Sequence, residues 1–528
     1  MPAVDSSRAP LNATRAVLSL GPTGRRTRTP LLVAASLGLA LAIVFLLLPP
    51  LGTDLSAAEA HGDFALHHPL TPIDMRWYGG FDQFGYSLLS QHVAALVGSR
   101  LAGALSALAA SVLFADVLRR SGARRPLIGA VAGTVCIFAN LVSGRIAFAI
   151  GLALGLAAVD LMLARRAGWS CLLAVLCAAV SPVAGLFLGV VAAGLVAFPS
   201  WRRHALVVGA AAGVPLLITG LLFGNAGSNT FSSADARHAG ALLVAVLVCA
   251  RAREVRAVTV VLLVLTAALW TIDNPVGLTV MRLPVTFAIP LVLALTPRAS
   301  VAVVVAAACW WYQPPVLTAD WHHRDDALAR PSAFRALSAE LERRVPAGRV
   351  EVVPTREVWE AARVASAHVW LARGWLRQAD TRWNPLFFHG TLADSEYHQW
   401  IRDNAVQYVA LPRQGVSWVG RREASFLAKP PAWLTQVWQD THWRLFVVAD
   451  PTALVESPAS VTARSADFLE LDLPQAGSYE VKIRYSRYLS ADGPVCVQPS
   501  GQWTRVTTKA PRTVRLGSSL LPHRASCG

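Results

Sequence analysis

The chain of 528 residues is 54% hydrophobic and only 15% charged, against about 25% charged residues in an ordinary soluble domain. Its net charge of +16 is not read as a nucleic-acid signature, because most of the excess is arginine at the ends of apolar runs and no nucleic-acid motif accompanies it. The charge deficit is concentrated in residues 31–313, where apolar runs of about 15–20 residues recur between short charged stretches. That pattern excludes a soluble fold there and indicates membrane spans.

Residues 1–30 form a polar, Arg-rich tail that includes Arg8, Arg15, Arg25, Arg26 and Arg28, and the positive-inside rule keeps it in the cytoplasm. The first apolar run, 31–48, has no small-residue cleavage site after it and reads as a retained span. A long outer loop, 51–99, leads to a second span (about 100–118) that returns to Arg119, Arg120, Arg124 and Arg125. Spans at about 126–142 and 145–163 follow, ending at Arg165 and Arg166. The stretch 171–198 starts and ends at cytoplasmic arginines but is too short for two full spans. Ser181-Pro182 breaks it, so a hairpin of two half-depth helices is expected. Spans at about 204–223, 238–250, 257–272, 279–296 and 300–313 complete a count of about eleven. Trp310, Trp311 and Tyr312 form an interfacial anchor at the last.

Parity places residues 314–528 outside. An amphipathic helix within 320–344 and short strands at 350–353, 406–411 and 443–448 predict an α/β region over 314–455. Alternating strands from Phe468 and Gly477 predict a β-sandwich-like module over 456–528. The fold class is therefore a mainly α, polytopic transmembrane bundle followed by an extracytoplasmic α/β and β-sandwich-like domain. Cys136, Cys171, Cys177, Cys249 and Cys309 lie in apolar runs and read as small core residues. Cys496 and Cys527 lie outside the membrane half, in an oxidising compartment, and are expected to form a disulfide.

The first outer loop carries the densest chemistry: Asp54, Glu59, Asp63, Asp74 and Asp82, with Arg76, Trp77 and several other aromatics. Asp54 follows span 1 by a few residues and stands at the membrane surface, where a carboxylate can act as general base toward a sugar hydroxyl. The alternative is a structured loop whose acids are solvated or cap helices. Arg145 and Arg282 break the positive-inside pattern at the outer ends of spans 3/4 and 9/10. Arginine at that depth needs a partner. A lipid phosphate fits the guanidinium fork; a salt bridge to Asp273 or to a first-loop carboxylate is the alternative. Asp116 and Asp160 have arginines within a turn or two and are expected to pair locally. His61, His67 and His68 lack a metal-ligand spacing, so no metal ligands are assigned, and the sequence leaves the cofactor unknown.

The order of these parts resembles the GT-C superfamily of membrane glycosyltransferases, and Thr53-Asp54-Leu55-Ser56-Ala57 is similar to the start of its acidic first loop. The paired acid usual there is absent, since Leu55 follows Asp54. The resemblance implies a cell-membrane enzyme that takes sugar from a polyprenyl-phosphate donor to an extracytoplasmic, cell-envelope glycan acceptor, with Asp54 as base. Position then assigns Arg145 and Arg282 to the leaving phosphate, and Glu59, Asp63, Asp74, Arg76 and Trp77 to substrate. A multi-pass transporter or flippase, favoured by the broken helix at Ser181-Pro182, and a non-catalytic scaffold with a binding domain are the competing readings.

Overall fold

In the computed structural model, residues 27–224, 227–315, 318–322, 324–390 and 392–521 are described. Of the tail arginines only Arg28 is among them; Arg8, Arg15, Arg25, Arg26 and also Cys527 lie outside the described residues. Helix α1 (Thr29–Leu47) is followed by two helices of the first loop, α2 (Leu55–His67) and α3 (Ser90–Val97). The bundle continues with α4 (Ser99–Arg120), α5 (Pro126–Val142), α6 (Ile146–Leu163), α7 (Ala167–Val180), α8 (Pro182–Val196) and α9 (Pro199–Leu222). It closes with α10 (Ser233–Cys249), α11 (Arg253–Thr271), α12 (Arg282–Leu295) and α13 (Ala299–Tyr312). Six helices among the described residues are long and apolar enough to cross a membrane: α1, α4, α6, α9, α11, and α12 with the 3₁₀ turn before it. α5, α7, α8 and α13 are shorter apolar helices. The protein is a multi-pass membrane protein.

Local chemistry sets the breaks. Proline opens α5, α8 and α9, where its missing N–H costs nothing. Small residues let the helices approach: Ala104, Ala107 and Ala110 of α4 are buried, and Gly129 of α5 faces Ala294 of α12. Ser181 caps α8 by accepting from the Ala184 N–H. The expected half-depth hairpin differs in one respect. Its turn meets the first loop, since Ser87 Oγ donates to the Val180 carbonyl at 2.7 Å and Leu88 N donates to Ala179 at 2.9 Å. At about 1.5 Å per residue, α7 and α8 thus run from the arginine-bearing face to the loop-bearing face, because the loop descends to meet them.

The connections sort onto two faces. On one, Arg120 pairs with Asp116 and Asp160, Arg125 donates to the Thr296 and Pro297 carbonyls, and Arg165 donates to Ser200. Asp116 and Asp160 are thus paired locally. On the other, the first loop, the α5–α6 turn and the loops after α9 and α11 meet one another and the C-terminal domain. Arg487 donates to the Leu221 carbonyl, Thr381 to Ser228, and Gln378 to Pro275.

The first loop contains a two-residue hairpin, β1 (Ile73–Asp74) with β2 (Phe81–Asp82). Beyond the bundle come α14 (Thr318–His322), α15 (Ser332–Arg344), α16 (Glu360–Arg363), α17 (Arg377–Trp383), α18 (Asp394–Asp403) and α19 (Arg421–Leu427). They pack around a sheet of β3 (Arg349–Val352), β4 (Val406–Pro412), β5 (Leu434–Gln439) and β6 (Trp443–Val448), ordered β3-β4-β6-β5, with only β3 and β4 parallel. The remaining strands are β7 (Ser460–Arg464), β8 (Leu469–Leu473), β9 (Gly477–Arg484), β10 (Leu489–Ala491), β11 (Cys496–Ser500), β12 (Trp503–Thr508) and β13 (Arg512–Ser518). They form two antiparallel sheets, β10-β13-β8-β7 and β11-β12-β9. Alternation turns Leu469, Leu471 and Leu473 and also Tyr479, Val481 and Ile483 into one shared core. Cys496 takes part in a disulfide, while Cys136, Cys171, Cys177, Cys249 and Cys309 are free.

The first-loop hairpin is wedged between the α/β layer and the sandwich. Met75 N donates to Ala466, Leu371 N to Arg76, Arg484 N to Gly79, and Trp77 Nε1 to Ala361 at 3.1 Å. Trp77, Tyr78 and Phe81 are fully buried there. At about 1.5–3 kcal/mol for each buried aromatic, this wedge is a principal tie between bundle and domain.

Candidate active site

Two glycines bring the first loop against the α5–α6 turn. Gly52 and Gly144 hold φ of +94° and +75°, and a Cβ on Gly144 would stand 2.4 Å from the Leu55 nitrogen. This backbone-to-backbone approach lets Asp54 N donate to the Ser143 carbonyl at 3.2 Å. Asp54 occupies the cap position of α2 without its side chain capping that helix, so the carboxylate turns outward. It meets Arg282 Nη2 at 3.1 Å and Arg145 Nε at 3.6 Å. The three residues, far apart in sequence, converge as expected from their positions. The arginines pair with a first-loop carboxylate and not with Asp273.

The site is tight but not sealed: the side chains of Asp54, Arg145 and Arg282 are 23%, 18% and 15% exposed. Arg145 Nε is buried and has no hydrogen-bond acceptor among the described residues. Arg282 lies 5.6 Å from the centre of the Phe148 ring. Tyr86 stands beside the group, its hydroxyl held above the usual range by burial and by the charge of Asp54.

Two acids from the C-terminal domain complete the cluster, and sequence reasoning missed both. Asp320 of α14 is 3% exposed. Burial, then the charge of Asp54, pushes its carboxyl up to about 6 against the Ser143 hydroxyl and Arg145. Its Oδ2 has no hydrogen-bond partner among the described residues. Glu357, facing the Gly52 amide, is pushed up to about 8 by burial and then by Asp320 and Asp326. Asp320 follows the last bundle helix as closely as Asp54 follows the first, which was a usable signal. Glu357 carried none.

The other first-loop candidates pair elsewhere. Arg76 is 4% exposed and binds Asp74 at 2.9 Å and Asp63 at 2.8 Å. Glu59 binds Arg363 of α16 at 2.8 Å, with its carboxyl raised by burial against that arginine. Trp77 is buried in the wedge. The density of charge and rings in this loop is thereby accounted for by its docking against the C-terminal domain. His61 stacks 5.7 Å from Tyr86, and burial pushes it down to about 4. His67 and His68 face Asp63 and Asp467. Among the described residues no group of three or more His, Cys, Asp or Glu is placed to hold a metal ion.

An apolar cavity of about 280 Å³ opens among α4, α6, α8, α10, α11 and α12. Leu283 and Pro284, the two residues after Arg282 in α12, line it, as do Phe187, Leu243, Val258 and Glu254. Its lining on α8 runs from Ala184 to Leu195, about 16 Å at the helical rise.

No protein-family model and no curated protein matches the chain. Solved structures are similar to it in layout. The arabinofuranosyltransferase AftD from Mycobacteria is 16% identical, with 85% of this chain and 42% of that chain covered and a TM-score of 0.47. This chain therefore spans about two-fifths of that one. ArnT from Cupriavidus metallidurans, bound to undecaprenyl phosphate, is 12% identical, with 81% and 99% covered and a TM-score of 0.47.

Proposed function

We propose that the protein is a membrane glycosyltransferase that uses a polyprenyl-phosphate sugar and passes the sugar to an acceptor on the extracytoplasmic face of the cell membrane. The observation that carries this reading is the meeting of Asp54 with Arg282 and Arg145, where Arg282 directly precedes Leu283 and Pro284 of the apolar cavity's lining on α12. A long hydrocarbon chain with an anionic head fits such a site: the chain fills the cavity and the phosphate takes the two guanidiniums. Arginines that face a membrane-depth site also stabilise charge that develops there.

The donor phosphate displaces Asp54 from Arg282 and Arg145. The freed carboxylate accepts the proton of an acceptor hydroxyl, whose oxygen attacks the anomeric carbon. The bond from that carbon to the phosphate oxygen breaks, and lipid phosphate leaves on the arginines. The excess of arginine on the bundle face that carries Arg119, Arg120, Arg125 and Arg165 supports a cytoplasmic N-terminus and an extracytoplasmic C-terminal domain. The test is transfer from a polyprenyl-phosphate sugar by the full chain in proteoliposomes, with Asp54→Asn alongside. Activity that is lost in the variant supports the assignment; undiminished activity removes Asp54 as the base.

A further inference from the structure

Beside the Asp54 site lies an arginine that the proposed chemistry does not use. Arg377 opens α17, and no carboxylate of a described residue lies within ion-pair distance of it. Instead it sits between rings: Trp418 at 4.9 Å, Trp375 at 5.4 Å and Phe388 at 5.4 Å. Phe388 and Trp418 themselves meet edge to face at 6.0 Å. Ring contacts of this kind return about 0.5–2 kcal/mol each, while withdrawing a guanidinium from water costs several. Burial accordingly holds Arg377 below its ordinary range. One ring is offered to solvent: Trp418 is 57% exposed, unlike the buried Trp359, Trp370 and Trp443 of the same domain.

The patch is rigidly placed relative to the site. Leu376 exchanges two hydrogen bonds with the Tyr78 hydroxyl, Gln378 donates to Pro275, and Thr381 donates to Ser228. Pro275 belongs to the loop that runs into Arg282. Through the Gln378–Pro275 bond the patch is tied to the segment that leads into Arg282, on the side of the C-terminal domain. The apolar cavity, by contrast, lies within the bundle.

We infer that Arg377, Trp375, Phe388 and Trp418 form the acceptor subsite and that it takes a sugar bearing a carboxylate. This rests on the transferase reading above. The ring faces match the C–H face of a sugar, and the planar guanidinium matches a carboxylate two-pronged. Asp380, three residues on in α17, acts on Arg377 without forming an ion pair with it, and an exposed aromatic beside such an arginine is a pairing that a neutral, purely stacking site would not need.

Binding without donor separates this inference from the transfer reaction. The full chain in detergent is titrated by thermophoresis with tetragalacturonate, with a neutral glucose tetramer, and with inorganic phosphate. The uronate is expected to bind at least tenfold more tightly than the neutral tetramer. Arg377→Lys keeps the charge but loses the fork, and Trp418→Ala removes an exposed ring; each is expected to weaken uronate binding about tenfold or more with an unchanged melting midpoint. Equal binding of both tetramers, no binding of either, or binding of phosphate as tight as uronate and indifferent to Trp418→Ala would each overturn the subsite. Uronate binding that depends on Arg377 and Trp418, found with no sugar transfer, would leave the subsite standing and remove the transferase reading.

Discussion

Replacing Asp54 by asparagine keeps the side-chain volume and removes one charge, so it separates two roles that the geometry gives this residue. The carboxylate holds Arg282 at 3.1 Å and Arg145 at 3.6 Å. A phosphate headgroup must displace it. A hydrogen bond to a charged group is worth about 1.5–3 kcal/mol net, and these side chains are less than a quarter exposed, so solvent screening takes little of that. At about 1.4 kcal/mol per factor of ten, Asp54→Asn should bind a polyprenyl phosphate about ten- to a hundredfold more tightly than the parent. Without lipid the variant leaves two neighbouring guanidiniums uncompensated, so its melting midpoint should fall and be restored by lipid phosphate. Turnover should drop by about 10²–10⁴, the usual worth of a positioned base. Affinity is read from lipid-dependent thermal shifts in nanodiscs and turnover from the transfer assay. Unchanged or weaker lipid-phosphate affinity in the variant would refute the competition between carboxylate and phosphate, whatever the turnover.

Gly144→Ala should force the first loop off the α5–α6 turn, because the added Cβ meets the Leu55 backbone and the φ of +75° strains any side chain. We expect a loss of about 1–3 kcal/mol in stability and a fall in kcat, both read on the purified variant; a fully active, equally stable variant would mean that this approach does not position Asp54. Glu357, raised to about 8 from 4.5, contributes stability that is full below pH 4.5 and lost as pH rises toward 8. Glu357→Gln should therefore melt like the parent at pH 4.5 and above it at pH 8.5; a difference of the opposite sign would contradict the burial of that carboxyl. Arg373 binds Asp380 at 2.7 Å and lies 3.5 and 3.6 Å from the buried Glu351 and Glu423. Arg373→Met should cost about 3–5 kcal/mol at neutral pH, less in acid, as measured by denaturant melts. A reporter fused after Gly528 should be active only if it works outside the cytoplasm; activity of a cytoplasm-only reporter there would invert the topology.

Much of the bundle was legible locally. Apolar runs punctuated by arginine marked the helices, and Ser181-Pro182 marked the break between α7 and α8, because hydropathy and proline act over one or two turns. Alternation marked β8 and β9 for the same reason, as each strand buries one face. Position relative to the spans was enough to single out Asp54, Arg145 and Arg282, since charge at the outer end of an apolar helix must find a partner. Nothing local, however, could say what that partner was. The wedge formed by Trp77, Tyr78 and Phe81 explains the aromatic density of the first loop, yet its counterparts lie roughly 300 residues away in the α/β layer and roughly 400 away in the sandwich. Asp320 and Glu357 reach the site because that wedge seats the C-terminal domain over the loops of that face. Local pattern determines where helices and strands form and which face is apolar; tertiary packing alone decides which buried charges meet, because their free energy depends on neighbours that sequence spacing does not encode.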